Sequence, residues 1–204
     1  MTTLYFATGA CSLAPHIVLE WIGAPYTAVK VQFGSPELLA VNPAGSVPVL
    51  REDDGWLLTQ AGAILDYLAR KHPEAALDAG DDLRQQAEQQ RWSAFLTSDL
   101  HASFWPVFGP QRYTTDSSDA AQQAVCAAGL ELVRNRLARL EQHLQGREWM
   151  LDRRSVIDAY AFPMIRWAIQ MLPEKIEPFP AIQALHDRLA ADPAVQRVLA
   201  HEQR

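Results

Sequence analysis

The first third of the chain alternates short apolar runs with helical stripes. LYFA, YTAVKV, VPVLRE and WLLT have the length and the aromatic or β-branched content of strands, whereas LAPHIVLEWIG and AGAILDYLARKH run at helical length. Taken in order they predict β-α-β followed by β-β-α, a small mixed sheet carrying helices. The apolar residues Ile17, Leu19 and Trp21 stop at Gly23, a helix end, and Pro15 stands in the first turn, where proline is tolerated. Asp53-Asp54-Gly55 between two strand-like runs is a hairpin signal.

From His72 to Asp82 the text turns to HPEAALDAGDD, the composition of a connection between domains. Beyond it the period is helical over residues 83–108, 119–145, 155–172, 179–191 and 193–201. The expected organisation is therefore an α/β domain over residues 1–77 and an all-α helical bundle over residues 84–204. Pro106 is expected to kink or end the first long helix after Trp105, and Pro110 to close that segment.

Composition narrows the partners. With 204 residues, 49% hydrophobic and 21% charged, the chain can bury a sizeable core without metal or disulfide staples. A net charge of −6 and the lack of any basic run argue against nucleic acid. MTTLYFATGA is not a signal peptide, and no segment approaches the roughly 20 apolar residues of a membrane span, so a cytoplasmic protein is expected. In that compartment Cys11 and Cys126 are read as two free thiols, Cys126 as a buried small hydrophobe in its alanine-rich helix.

Cys11, in TGACSLAP between a strand and a helix, is the candidate for chemistry. Near a helix N-terminus its pKa is expected to fall and its thiolate fraction to rise. Ala14 stands where a dithiol oxidoreductase has its second cysteine, so a lone active thiol needs an outside partner, glutathione or a substrate disulfide. Pro48 inside Val47-Pro48-Val49-Leu50 argues for an edge strand, a bulge or a cis bond, and an unpaired backbone there could pair with a peptide. Gln60-Ala61 precedes a helix whose free N–H groups could hold a carboxylate. Ser155 and Asp158 have the spacing of a capping box.

As a set, LYFATGACSLAPHIVLEWIGAPY, NPAGSVPVL and TQAGAILDYLA resemble the thioredoxin-like N-terminal domain of the cytosolic glutathione transferases, above all the bacterial beta class with its G-x-C-S-L-x-P-H signature. The resemblance extends over the whole chain, the Ser155-Val156-Ile157-Asp158 element included. It implies a cytoplasmic homodimer, with glutathione as co-substrate and no metal. Cys11 would contact the glutathione sulfur, with Ala10 beside it. Val47, beside a cis Pro48, would bond the tripeptide backbone; Gln60 and Ala61 would hold its γ-glutamyl end, and His101 would approach from the second domain. Phe104, Trp105, Phe108, Tyr113, Trp167 and Met171 are expected to line the electrophile pocket, with Phe104 and Phe108 foremost because they stand at i and i+4.

The chain departs from the family pattern in places. Ala10 occupies the position of the serine-using classes, leaving Ser12, a water or Tyr5 as hydroxyl alternatives. Gln60, Ala61 and Ala102 replace an acidic, a small polar and a lysine residue, and Gln32–Val41 is short and lacks another lysine, which together imply weaker or altered glutathione binding. Three activities are compatible with these residues: conjugation of glutathione to an apolar electrophile, thiol-disulfide exchange or reductive dehalogenation with Cys11 as nucleophile, and a noncatalytic binding role.

Overall fold

A computed structural model describes residues 1–203. β1 (Thr2–Phe6), α1 (Leu13–Ile22) and β2 (Tyr26–Lys30) form a β-α-β unit with parallel strands, in register Leu4 to Ala28. β3 (Val49–Arg51) runs antiparallel to β1, and β4 (Leu57–Thr59) antiparallel to β3, giving the strand order β2-β1-β3-β4. The Asp53-Asp54-Gly55 turn makes the β3–β4 hairpin, with Gly55 at φ 90°. Strand alternation sorts the two faces. Leu4, Phe6 and Leu50 pack in one core with Ile17 and Val18 of α1 and with Ile64 and Leu68 of α3 (Ala61–Lys71). Tyr5 and Val49 face the other way, into a smaller cluster with Val31, Leu38 and Val47.

Of the three alternatives for Pro48 the structure has the cis bond, at Val47–Pro48, and not the edge strand: β3 is paired on both sides, so Pro48 precedes an inner strand. One feature of this half differs from the sequence reading. A short helix, α2 (Pro36–Val41), lies in the stretch read only as shortened. Ser35 Oγ accepts from the Leu38 N–H and Pro36 opens the first turn, as helix starts require.

The helical half does not run in one piece from residue 83. α4 (Leu83–Ala94) passes into a π-helical segment (Phe95–Leu100), then α5 (His101–Ser103), and after Phe104 a separate α6 (Trp105–Phe108). The wider π turn leaves carbonyls for side chains to satisfy: Thr97 Oγ1 donates to Ser93 O (2.8 Å) and Ser98 Oγ to Ala94 O (2.6 Å). Pro106 is the second residue of α6, where no N–H is missed. α7 (Asp119–Leu144) seats this segment through Gly129, because a Cβ there would lie 2.9 Å from Val107 and 3.1 Å from Pro106. Cys126, half-buried rather than buried, aims its thiol at the Pro106 and Val107 carbonyls (3.8 and 3.9 Å).

α8 (Val156–Met171) is almost wholly buried and packs along α1. Its start is held by Ser155 and Asp158. The Ile157 N–H donates to Ser155 Oγ, and the Asp158 carboxylate accepts from the Ser155 N–H (2.8 Å), the Ser155 hydroxyl (3.0 Å) and the Met150 N–H (2.8 Å). α9 (Pro180–Ala191) and α10 (Pro193–Glu202) bring the chain back to the sheet, where Thr8 Oγ1 donates to Glu202 O and the buried His16 pairs with the Glu202 carboxylate at 3.0 Å. Among the described residues no helix is long and apolar enough to cross a membrane.

Candidate active site

A cleft of about 1710 Å³ opens between the ends of the strands and the helical half. One wall comes from turns of the sheet domain. Cys11 lies on the turn joining β1 to α1, a turn locked by Ser12, whose hydroxyl both accepts from the Ala7 N–H and donates to the Ala7 carbonyl (3.2 Å each). That leaves Ser12 fully buried and committed, so it does not stand in for the serine absent at Ala10. Tyr5 is no substitute either. It is buried on the far face of the sheet with the Arg51 guanidinium over its ring.

The Cys11 thiol donates to the Val47 carbonyl at 3.5 Å and is only 9% exposed. Its pKa moves opposite to the direction expected from its place at a helix start. Burial pushes it up to about 11, outweighing the Cys11 and Ser12 amides, which favour the thiolate. Cys11 is therefore a neutral thiol at neutral pH.

Val47 and the cis Pro48 line the same wall, and no described residue accepts from the Val47 N–H. Next along it, Gln60 takes a left-handed φ of 71° to turn the chain into α3, and Ala61 follows. The first N–H groups of α3 have no partners within the helix. Gln60, Ala61, Gly62 and Ala63, at this helix start, line the cleft. Asp66, farther along, is engaged by Arg70 (2.9 Å) and Gln90 (3.1 Å).

The opposite wall is made of side chains. His101 follows the π segment and faces the cleft, its Nδ1 2.7 Å from the Tyr160 hydroxyl. Burial drops its pKa to about 4, so the ring is neutral at physiological pH. Trp167 stands behind it (ring centroids 5.0 Å apart) and ties the two halves together by donating from its indole N–H to Gly9 O at 2.7 Å. Trp105, Phe108, Tyr113 and Met171 form an exposed apolar rim, with Ala102 and Arg112 beside them.

Phe104 does not belong to that rim. The i, i+4 spacing with Phe108 holds, with the Phe108 N–H bonded to Phe104 O at 2.9 Å, but tertiary packing buries the Phe104 ring completely, stacked under Phe108 (5.9 Å) and edge-on to Trp167 (5.4 Å). It supports the pocket from behind. Tyr160 is the residue that the sequence reading missed. VIDAYAFPMI looks like a core helix, and nothing in its period marks one polar tip as turned to a cleft. Among the described residues no three His, Cys, Asp or Glu side chains gather as a metal-ligand group.

Comparison with known proteins agrees with this architecture. Residues 8–76 match the family described as glutathione S-transferase, N-terminal domain, and residues 97–193 match glutathione S-transferase, C-terminal domain. The chain is 39% identical over 203 residues to glutathione S-transferase GST-4.5 of Xanthomonas campestris pv. campestris, covering 98% of each chain. Among solved structures, it is similar to a bacterial beta class glutathione S-transferase of Sphingomonas chungbukensis (35% identity, TM-score 0.86, 98% of each chain). It is also similar to a sphingomonad glutathione S-transferase complexed with glutathione (35% identity, TM-score 0.85, 98% of each chain).

Proposed function

The chain belongs to the glutathione S-transferase family, and we propose that it holds glutathione along the sheet-side wall of this cleft and transfers its sulfur to an apolar electrophile. The observation that carries this reading is one juxtaposition. The unpartnered Val47 N–H, the open N-terminus of α3 and the Cys11 thiol line a single cleft, facing an exposed aromatic rim. Val47 offers a peptide-like ligand the backbone pairing of one more strand. The N–H groups at Gln60, Ala61 and Gly62 suit the carboxylate of a γ-glutamyl end, helped by the helix dipole. Because these donors are backbone groups, the side-chain departures at Gln60 and Ala61 leave them in place.

For the reaction, the glutathione thiol loses its proton and its sulfur forms a bond to the electrophilic carbon. Either a leaving group departs with its electron pair, or a multiple bond takes up a proton. Hydrogen-bond donors around the sulfur lower the cost of the thiolate. Cys11, kept protonated by burial, can donate one such bond by turning its S–H from the Val47 carbonyl, a long contact at 3.5 Å, toward the cleft, with Ala10 leaving room beside it. His101 faces the sulfur from the helical side, and Trp105, Phe108, Tyr113 and Trp167 give the electrophile an apolar seat. The same protonation disfavours Cys11 as the nucleophile of thiol-disulfide exchange or dehalogenation. Family membership further supports a homodimer and a cytoplasmic location.

The test is retention on immobilised glutathione, followed by conjugation assays with an aromatic electrophile for the wild type and Cys11→Ala. We expect binding, and a loss of conjugation of about tenfold or less in the variant, the value of one hydrogen bond. No retention of the wild type would sink the transferase reading. Complete loss of turnover in Cys11→Ala, with glutathione still bound, would instead make the thiol covalent.

A further inference from the structure

Tyr160 belongs to no role assigned above, yet it lines the cleft from α8, as do Trp167 and Gln170 farther along the same helix. The ring is buried, with 3% of its surface exposed, and its only hydrogen bond among the described residues is the 2.7 Å contact with His101 Nδ1. His101 Nε2 has no partner among the described residues and belongs to a side chain that lines the cleft. The His101 ring is held between Trp167 and Trp105, at centroid distances of 5.0 and 5.9 Å.

A neutral phenol and a neutral imidazole carry one polar hydrogen each, and one of the two lies in their shared bond. If His101 donated from Nδ1, the Tyr160 proton would be buried without an acceptor. If Tyr160 donates, its buried proton has an acceptor and the remaining hydrogen must sit on Nε2. Acidity favours the same choice, since a phenol hydroxyl is a stronger acid than the N–H of a neutral imidazole and an imidazole nitrogen is a stronger base than a phenol oxygen. The hydrogen bond at one ring nitrogen thereby decides which face of the imidazole is a donor.

We propose that Tyr160 is a positioning residue: by donating to His101 Nδ1 it fixes the Nε2–H tautomer and keeps a hydrogen-bond donor turned toward the substrate sulfur. Burial supports this by holding His101 neutral across the working range, its pKa lowered to about 4. Cys11, the ionisable group that bears on Tyr160, is itself a neutral thiol, while the charged side chains of the cleft are Asp66, already paired with Arg70, and Arg112 at the rim. The tautomer stands on this geometry alone; its effect on catalysis rests on the glutathione reading above.

Two measurements on Tyr160→Phe, which keeps the ring and its packing, decide the matter. Nitrogen-15 NMR of the histidine side chains should show His101 as the Nε2–H tautomer in the wild type and as a mixture in Tyr160→Phe. An Nδ1–H form in the wild type, or no change in the variant, overturns the proposal. In the enzyme, the pH at which the thiolate absorbance of bound glutathione appears should rise by about one unit in Tyr160→Phe, with about tenfold slower conjugation below that pH and an unchanged KM for glutathione. The same substitution should change nothing further in a His101→Ala background; an equal loss in both backgrounds would show that Tyr160 does not act through His101. If the wild type does not bind glutathione, the transferase reading falls, and the NMR result still decides the tautomer.

Discussion

The two walls of the cleft are built on different principles. The sheet-side wall presents backbone: the Val47 N–H after a β turn, the opening N–H groups of α3, and a thiol pinned by the Val47 carbonyl. The helical wall presents side chains on a chain that changes its winding three times between Ala94 and Trp105. Backbone donors survive substitution of the residues that carry them, provided that the dihedral angles hold. Side chains do not. Recognition of a constant peptide is thus suited to the first wall, and adaptation to different electrophiles to the second.

The strongest test of this contrast removes the anchor of the side-chain wall. Tyr160 and Trp167 both ride on α8, whose start depends on Asp158, and Asp158→Ala would leave the buried Ser155 and Met150 N–H groups without an acceptor. We expect a loss of about 3 kcal/mol, or a fall in Tm of about 6–12 °C. An unchanged Tm would show that the rest of the bundle, not the cap, holds α8.

A second effect reads the burial of that wall through pH. His101 has a pKa of about 4 in the folded chain against 6.5 for a free imidazole. Between those values the unfolded chain binds the additional proton, so this contribution to stability is present above about pH 6.5 and is lost as the pH falls toward 4. Denaturant titrations at pH 7.5 and 5 should show the loss in the wild type and a smaller one in His101→Gln. Equal losses would place the pH dependence elsewhere.

The backbone wall should respond to conformation and ignore chemistry. At φ 71°, Gln60→Val forces a branched side chain into the left-handed region and should cost about 1–2 kcal/mol together with glutathione affinity. Gln60→Ala, which keeps the N–H groups, should alter the affinity by less than about threefold, the scale of an ordinary surface change. A large loss in the alanine variant, read by calorimetry, would mean that the Gln60 side chain itself binds the ligand.

Much of the fold was legible because strand alternation, Gly23, Asp53-Asp54-Gly55 and the long amphipathic periods each act locally. α2 was equally legible, since Ser35-Pro36-Glu37 is a helix start, but it was read only for its length. The π segment was not, because its Ser and Thr hydroxyls bond backbone locally and leave no mark in hydrophobic period. The candidate site divides along the same line. A helix-start cysteine points to nearby amides, which are indeed present, but the burial that overrides them depends on residues far apart in the chain. For the same reason the spacing of Phe104 and Phe108 misplaced one ring, and Tyr160 was lost among apolar neighbours.

The Trp167 bond to Gly9 also makes the protein its own optical probe. This indole is 8% exposed, hydrogen-bonded two residues from Cys11 and edge-on to both His101 and Phe108. Its emission therefore depends on what occupies the space between peptide wall and aromatic rim, and a fluorescence titration, with Trp167→Phe as the blank, would follow filling of the cleft without a label.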